Sequence, residues 1–249
     1  MRLFGHELRA QQRLFWRSRE LAFFTFLLPI LFFVLLGSVY GEDEIEGVEG
    51  SRYLLAGLLG YGVVATAFAG LAIVVVLRRE DGILKRLRAT PLPPVTAIAA
   101  LLGSTLVVYA IEAVALLVLG RILFDVPFPG QVVSICLALL LGALAFAALG
   151  LAVTTVVRSG EGSSAVVNAI YLPMAFISGS FFSPHSFPRA LELIGEALPL
   201  THFIRLVRDV TLHDVAIWSR PGAVAAVTGW GLAGAVVALR GFRWVPREG

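Results

Sequence analysis

The chain has 249 residues, 58% of them apolar and only 15% charged, with 20 basic against 17 acidic side chains and a net charge of +3; mean hydropathy is +0.86. So little polar surface cannot coat a soluble domain of this length, whereas a bilayer accepts an apolar exterior. Disorder, collagen and disulfide scaffolds are excluded, and Cys136, the single cysteine, permits neither an intrachain disulfide nor a cysteine metal cluster.

In chain order, residues 1–20 form an amphipathic segment. At about 100° per residue Arg2, His6, Arg9, Arg13 and Arg17 share one face, and Leu3, Phe4, Leu8, Leu14 and Phe15 the opposite one. Such a helix lies in a membrane interface. Six runs long enough to cross about 30 Å of hydrocarbon follow, at 21–40, 53–77, 95–119, 132–157, 165–182 and 222–239. The first is too long for the apolar core of a signal peptide and reads as a retained span. Only the third carries a charge, Glu112. Residues 183–221 are too apolar for a solvated loop and too broken by Pro184, Pro188, Pro199 and Pro221 for a crossing. Leu191, Ile194 and Leu198, then Phe203, Ile204, Val207 and Val210, recur at helical spacing, with Glu192, Glu196, Arg205, Arg208 and Asp209 on other faces. Two short helices dipping into the outer leaflet fit that pattern, packed on the bundle because exposed irregular backbone is not tolerated at such depth. The expected fold is therefore an all-α membrane protein of one domain, with six spans, an amino-terminal interfacial helix and a re-entrant pair.

Charge sets the expected orientation. Fourteen basic residues fall at the termini and the loops near 78–94 and 158–164 (Arg2, Arg9, Arg13, Arg17, Arg19, Arg78, Arg79, Lys85, Arg86, Arg88, Arg158, Arg240, Arg243, Arg247), against six on the other side. By the positive-inside rule both termini are cytoplasmic, in the inner membrane of a bacterium or archaeon. A pI near 9.4 raises nucleic acid as a partner, but basic clusters flanking apolar spans fit topology better, and no nucleic-acid partner is expected.

The loop Arg79, Glu80, Asp81, Gly82, Ile83, Leu84, Lys85, Arg86, Leu87, Arg88, Ala89, Thr90, Pro91 predicts a short helix capped by Asp81, striped by Ile83, Leu84 and Leu87, and stopped by Pro91. The stretch from Arg79 to Pro94 resembles the loop before the third span of ABC-2 type exporter permeases. Leu172-Pro173, Ser178-Gly179, Phe182, Pro188 and Leu198-Pro199-Leu200-Thr201 look like that family's close of span five and re-entrant pair, so the resemblance covers essentially the whole chain. Where many members place a proline directly after Phe182, this chain has Ser183-Pro184-His185.

The resemblance implies that 79–91 is a coupling helix seated in a separate ATP-binding ABC subunit, that a second permease copy pairs with this one, and that an amphipathic drug, antibiotic or lipid-linked molecule is exported. No Gly-x-x-x-x-Gly-Lys-Ser/Thr occurs, so ATP and Mg are expected on the partner and no cofactor on this chain, which is not itself an enzyme. Tyr61, Thr66 and Phe68 in the second span and Asn168, Tyr171 and Met174 in the fifth are of the types that line an amphipathic route, and in the related permeases those two spans form the central path. Glu112 is costly in a span unless a partner receives it, either a neighbouring hydroxyl or a passing substrate. It also raises an alternative, an ion-coupled secondary transporter with Glu112 as relay. His185, His202 and His213 match no metal-ligand spacing, and Gly162-Ser163-Ser164 only faintly imitates a protease nucleophile box. Gly229, Gly231 and Gly234 predict close helix packing in the last span.

Overall fold

The computed structural model describes residues 2–90, 92–157, 159–242 and 244, without the side chains of Arg2 and Arg88. The expectations placed on Pro91, Arg158, Arg243 and Arg247 lie outside the described residues.

Helix α1 (Arg2–Arg17) ends at Ser18, whose backbone breaks the path before α2 (Arg19–Tyr40). Arg9, Arg13 and Arg17 are exposed, as the wheel requires, but part of the apolar face meets protein rather than lipid. Phe4 and Leu8 close over Gly103, and the Gln12 amide donates to both the carbonyl and the hydroxyl of Ser104 at 2.9 Å. The first connection is a tight hairpin, β1 (Glu44–Ile45) paired antiparallel with β2 (Val48–Glu49). Glu46 and Gly47 at its tip both have positive φ, 53° and 79°, the geometry that two-residue hairpin turns demand.

The next helix is the axis of the molecule. α3 (Gly50–Val63) passes into a π-helical segment, Val64–Gly70, and then into α4 (Leu71–Glu80), giving one rod of 31 residues. In its most apolar window 78% of residues are buried, against 17–44% in the other spanning helices, so it is the one the rest wraps around. After the short α5 (Ile83–Arg88) come α6 (Pro94–Phe124) and α7 (Val132–Val153). α7 packs on the π-helical segment, where a β-carbon at Gly150 would lie 2.7 Å from the Phe68 carbonyl oxygen.

Among the described residues, five helices are long and apolar enough to cross a membrane. The fifth apolar run is a correction: α8 spans Ser163–Ile177, 15 residues and about 22 Å, rather than continuing to Phe182. Ser178 and Gly179, the latter at φ 86°, turn the chain, and Phe181 folds back to lie 5.2 Å from the Phe32 ring and 5.3 Å from the Tyr61 ring. The fourth run likewise ends as helix at Val153 rather than Val157, because Thr154 and Thr155 turn their hydroxyls onto the carbonyls of Leu151 and Ala152.

Residues 183–221 contain α9 (Arg189–Ala197), preceded by Pro188, and α10 (Pro199–Leu212), which Pro199 opens. Leu200 and Thr201 are buried in the first turn of α10, the Thr201 hydroxyl donating to the Gly195 carbonyl at 2.5 Å. α10 is seated in the bundle: Phe203 fills the place of a side chain at Gly142, and Ile204 does so at Gly60. The last helix, α11 (Pro221–Gly241), approaches α7 closely at two glycines, a β-carbon at Gly231 falling 2.9 Å from Ala145 Cα and one at Gly234 2.8 Å from Leu149 N. Gly229 has nothing within 4 Å and takes no part, which corrects that expectation.

Candidate functional site

The segment between α4 and α6 is built from two opposed requirements, holding on to the bundle and facing outward. α4 runs through Glu80, so Arg79 and Glu80 belong to the rod and the short helix begins only at Ile83. Its cap is corrected as well: Asp81 makes no side-chain cap, and the break is Gly82, at φ 70°, a conformation glycine adopts without penalty. Glu80, Asp81, Lys85, Arg86 and Thr90 are exposed. Leu84 is buried under α5 and Leu87 half-buried, while Ile83 is mostly outward. Glu80 also touches Gly160, so the two loops at this end meet.

Arg79 is not on this outward ridge. It is 6% exposed, and its guanidinium donates to the Thr154 carbonyl at 2.8 Å and the Val157 carbonyl at 2.6 Å. Carbonyls at a helix C-terminus lack intrahelical donors and carry partial negative charge, so a cation there satisfies both needs. Arg79 ties the end of the rod to the end of α7, which is a positioning role.

The residues expected along a substrate route fall on two sides of the rod. On the α8 side the rings of Tyr61 and Tyr171 lie 6.5 Å apart beside Phe181, Met174 is buried, and Asn168 and Tyr171 are half-buried. On the α6 side the Thr66 hydroxyl, within the π-helical segment, donates to Glu112 Oε2 at 2.8 Å. Glu112 is 1% exposed and its Oε1 has no hydrogen-bond partner, packed over Gly62. Phe68 is buried with its backbone against Gly150 and belongs to the packing of α7 on the rod.

Sequence reasoning placed Arg208 on a polar face of α10; the structure buries it. Its guanidinium carbon sits 3.6 Å from the centroid of the Tyr53 ring and its Nη2 donates to the Gly179 carbonyl at 2.6 Å. The Tyr53 hydroxyl donates to Glu46 at 3.3 Å, and Ser183 donates to the same carboxylate. Hairpin, rod, the turn after α8 and α10 are thus locked together at the end opposite α5. The sequence hint was Ile204, a buried apolar residue four positions before Arg208 on the same face of the helix. The histidines show no cluster: His185 contacts Glu192 at 3.2 Å and His213 approaches Asp209 at 3.9 Å. The Arg189 guanidinium bonded to Glu192 holds that carboxyl below the usual range. No group of three or more metal-ligating side chains occurs among the described residues.

A buried helical rod inside a multi-pass bundle, ending in an exposed charged ridge, is the architecture of a multi-pass membrane protein. The chain belongs to the ABC-2 type transporter family, which it matches over residues 2–212. It is similar to the transport permease YvfS of Bacillus subtilis (strain 168), 24% identical over 195 residues that cover 78% of this chain and 79% of that one. It is also similar to the inner membrane transport permeases YhhJ and YadH of Escherichia coli (strain K12). YhhJ is 25% identical over 61% of this chain and 41% of its own length, and YadH 24% identical over 70% and 68%. The chain is accordingly a transport permease, the membrane subunit of an ABC transporter, and the family implies an ABC ATP-binding subunit as its partner.

Proposed function

We propose that this permease exports an amphipathic molecule (a drug, an antibiotic or a lipid-linked compound) from the cytoplasm, driven by ATP and Mg on a separate subunit. Two copies, or this chain and a sister permease, pair in the membrane. α5 docks in the partner ATPase through Glu80, Asp81, Lys85, Arg86 and Thr90, while Leu84 and Leu87 hold it to the bundle. Closure of the ATPase moves α5, and α5 is joined through Gly82 to the rod, so the displacement enters the most buried helix directly. The basic residues gathered at the termini and the α5 loop support a cytoplasmic location for that end, in the inner membrane.

The observation that carries this reading is the division of labour along 79–90, with Arg79 and Leu84 turned into the bundle and the charged groups between and after them turned out. The test is co-purification with the ATPase. Lys85→Glu combined with Arg86→Glu is expected to abolish the complex and reduce ATP-driven transport more than tenfold with the permease still folded, since charge reversal at an interface costs several kcal/mol, of the order of two to three. An unchanged complex refutes the docking assignment.

Glu112 is read as a structural hydrogen-bond acceptor for Thr66 rather than an ion relay. Glu112→Gln, which keeps an acceptor oxygen for Thr66, is therefore expected to leave ATP-driven transport within about twofold of the parent. Transport that persists without nucleotide and vanishes in Glu112→Gln would favour the ion-coupled alternative.

A further inference from the structure

Two cavities lie beneath α1, the second of them also under α5. The first, ≈ 160 Å³, lies between α1, α2, the π-helical segment with α4, and α6. The second, ≈ 190 Å³, extends beneath α5 toward Phe242 and Trp244. Gln11, Leu14, Arg78 and Leu101 line both, so the two spaces meet at those four side chains. Each alone is smaller than the about 300–1,000 Å³ that small-molecule sites occupy, so a ligand spanning both must pass between those four side chains, which leaves room for one chain rather than two.

Their junction holds two polar groups that the protein does not satisfy. Arg78 is half-buried, and among the described residues no hydrogen bond or ion pair engages its guanidinium. The neighbouring carboxylate, Glu7, attracts Arg78 through space without bonding it and accepts from the Gln11 amide nitrogen at 2.6 Å. That bond leaves Gln11 Oε1 buried with no donor, in a side chain only 7% exposed. A guanidinium without an acceptor calls for an anionic oxo group, which it can grip through two parallel N–H bonds. An orphaned amide carbonyl calls for a hydroxyl donor beside that anion. On either side of this pair the walls are apolar, with Leu71, Val74 and Val108 in the first cavity and Val75, Leu84 and Leu102 in the second.

We propose that the joined cavity binds a single-chain amphiphile whose head carries one anionic oxo group next to a hydroxyl, the anion on Arg78, the hydroxyl on Gln11 Oε1 and the chain along the apolar walls. Its source is either a resident membrane component or the cargo itself. The proposal does not depend on the export reading, because occupancy of this cavity requires neither ATP nor a partner.

The test is binding to the purified full-length chain in detergent, followed by native mass spectrometry and thermal unfolding. The probes are lysophosphatidylglycerol, with anion and hydroxyls, and monoacylglycerol, with hydroxyls alone. Lysophosphatidylglycerol is expected to bind about tenfold more tightly, the loss of one charge-assisted contact accounting for the difference. Arg78→Gln should erase that preference and Arg78→Lys retain most of it, while Gln11→Leu should weaken the anionic probe several-fold, each ligand-induced shift being read against that variant's own unliganded melting temperature. Equal binding of the two probes, or unchanged binding in both Arg78→Gln and Gln11→Leu, overturns the proposal. The source is read separately in proteoliposomes with the ATPase: ATP-driven movement of the probe marks it as cargo. A lipid that co-purifies with the parent, is lost in Arg78→Gln and is not moved marks a resident component.

Discussion

Gly150→Leu is expected to dismantle the packing of α7 on the central rod, lowering the thermal midpoint of the purified permease by at least about 5 °C and leaving little folded protein in the membrane. The β-carbon alone would sit 2.7 Å from the Phe68 carbonyl oxygen, 3.1 Å from its Cα and 3.2 Å from the Ala67 carbonyl oxygen. All three are backbone atoms of the π-helical segment, so no rotamer change relieves the clash. Added methylenes in a well-packed interior cost about 1–3 kcal/mol even where side chains can shift. For a chain of this length each kcal/mol moves the midpoint by roughly 2–4 °C. Gly229→Leu on α11, exposed and with nothing within 4 Å of its β-carbon, is the matched control and is expected to melt within about 1 °C of the parent. Equal stability of the two variants would show that the α7 contact is not where the structure puts it.

The second large effect is expected at Arg79. Arg79→Ala leaves the carbonyls of Thr154 and Val157 without the donors now 2.8 and 2.6 Å away. Each hydrogen bond to a charged group contributes about 1.5–3 kcal/mol, so a loss on the order of 3 kcal/mol is expected in detergent unfolding. Arg79→Lys should fall between, because an ammonium cannot reproduce the fork of a guanidinium across two acceptors. A partly destabilised Arg79→Lys protein should still co-purify with the ATPase, whereas the reversed charges at Lys85 and Arg86 should not. That contrast separates a residue that holds α5 in place from residues of the proposed docking face.

Much of the architecture could be read from residue order because a bilayer imposes a simple rule, about twenty apolar residues per crossing, and five of the six runs obey it as helices. The fifth run misled because Ser178-Gly179 within it is a turn, and hydropathy does not register a positive φ. The α5 helix was visible from its apolar stripe and charged remainder, but its start was not. Arg79 sits in a basic loop where every arginine looks like a topology signal, and its partners are 75 and 78 positions further on. Arg208 was misplaced for the same reason, since burial of a guanidinium over Tyr53 is a tertiary fact with no local periodicity. The proposed substrate residues were chosen by chemical type. The structure joins Tyr61 to Tyr171 and Thr66 to Glu112, on opposite sides of one helix that sequence treated as a single lining.

The wide turn at Val64–Gly70 also governs how this gene can change in length. A π-helical segment of this kind accommodates one residue more than an α-helix would over the same rise. Removing a codon inside it lets the ribbon relax to ordinary α form with both flanks in register. The same deletion elsewhere in Gly50–Glu80 would swing everything downstream by about 100° and aim Arg79 away from α7. A single-codon loss is therefore expected to be felt at that one place only locally, at the seat of Gly150 on the rod, with Arg79 still aimed at α7.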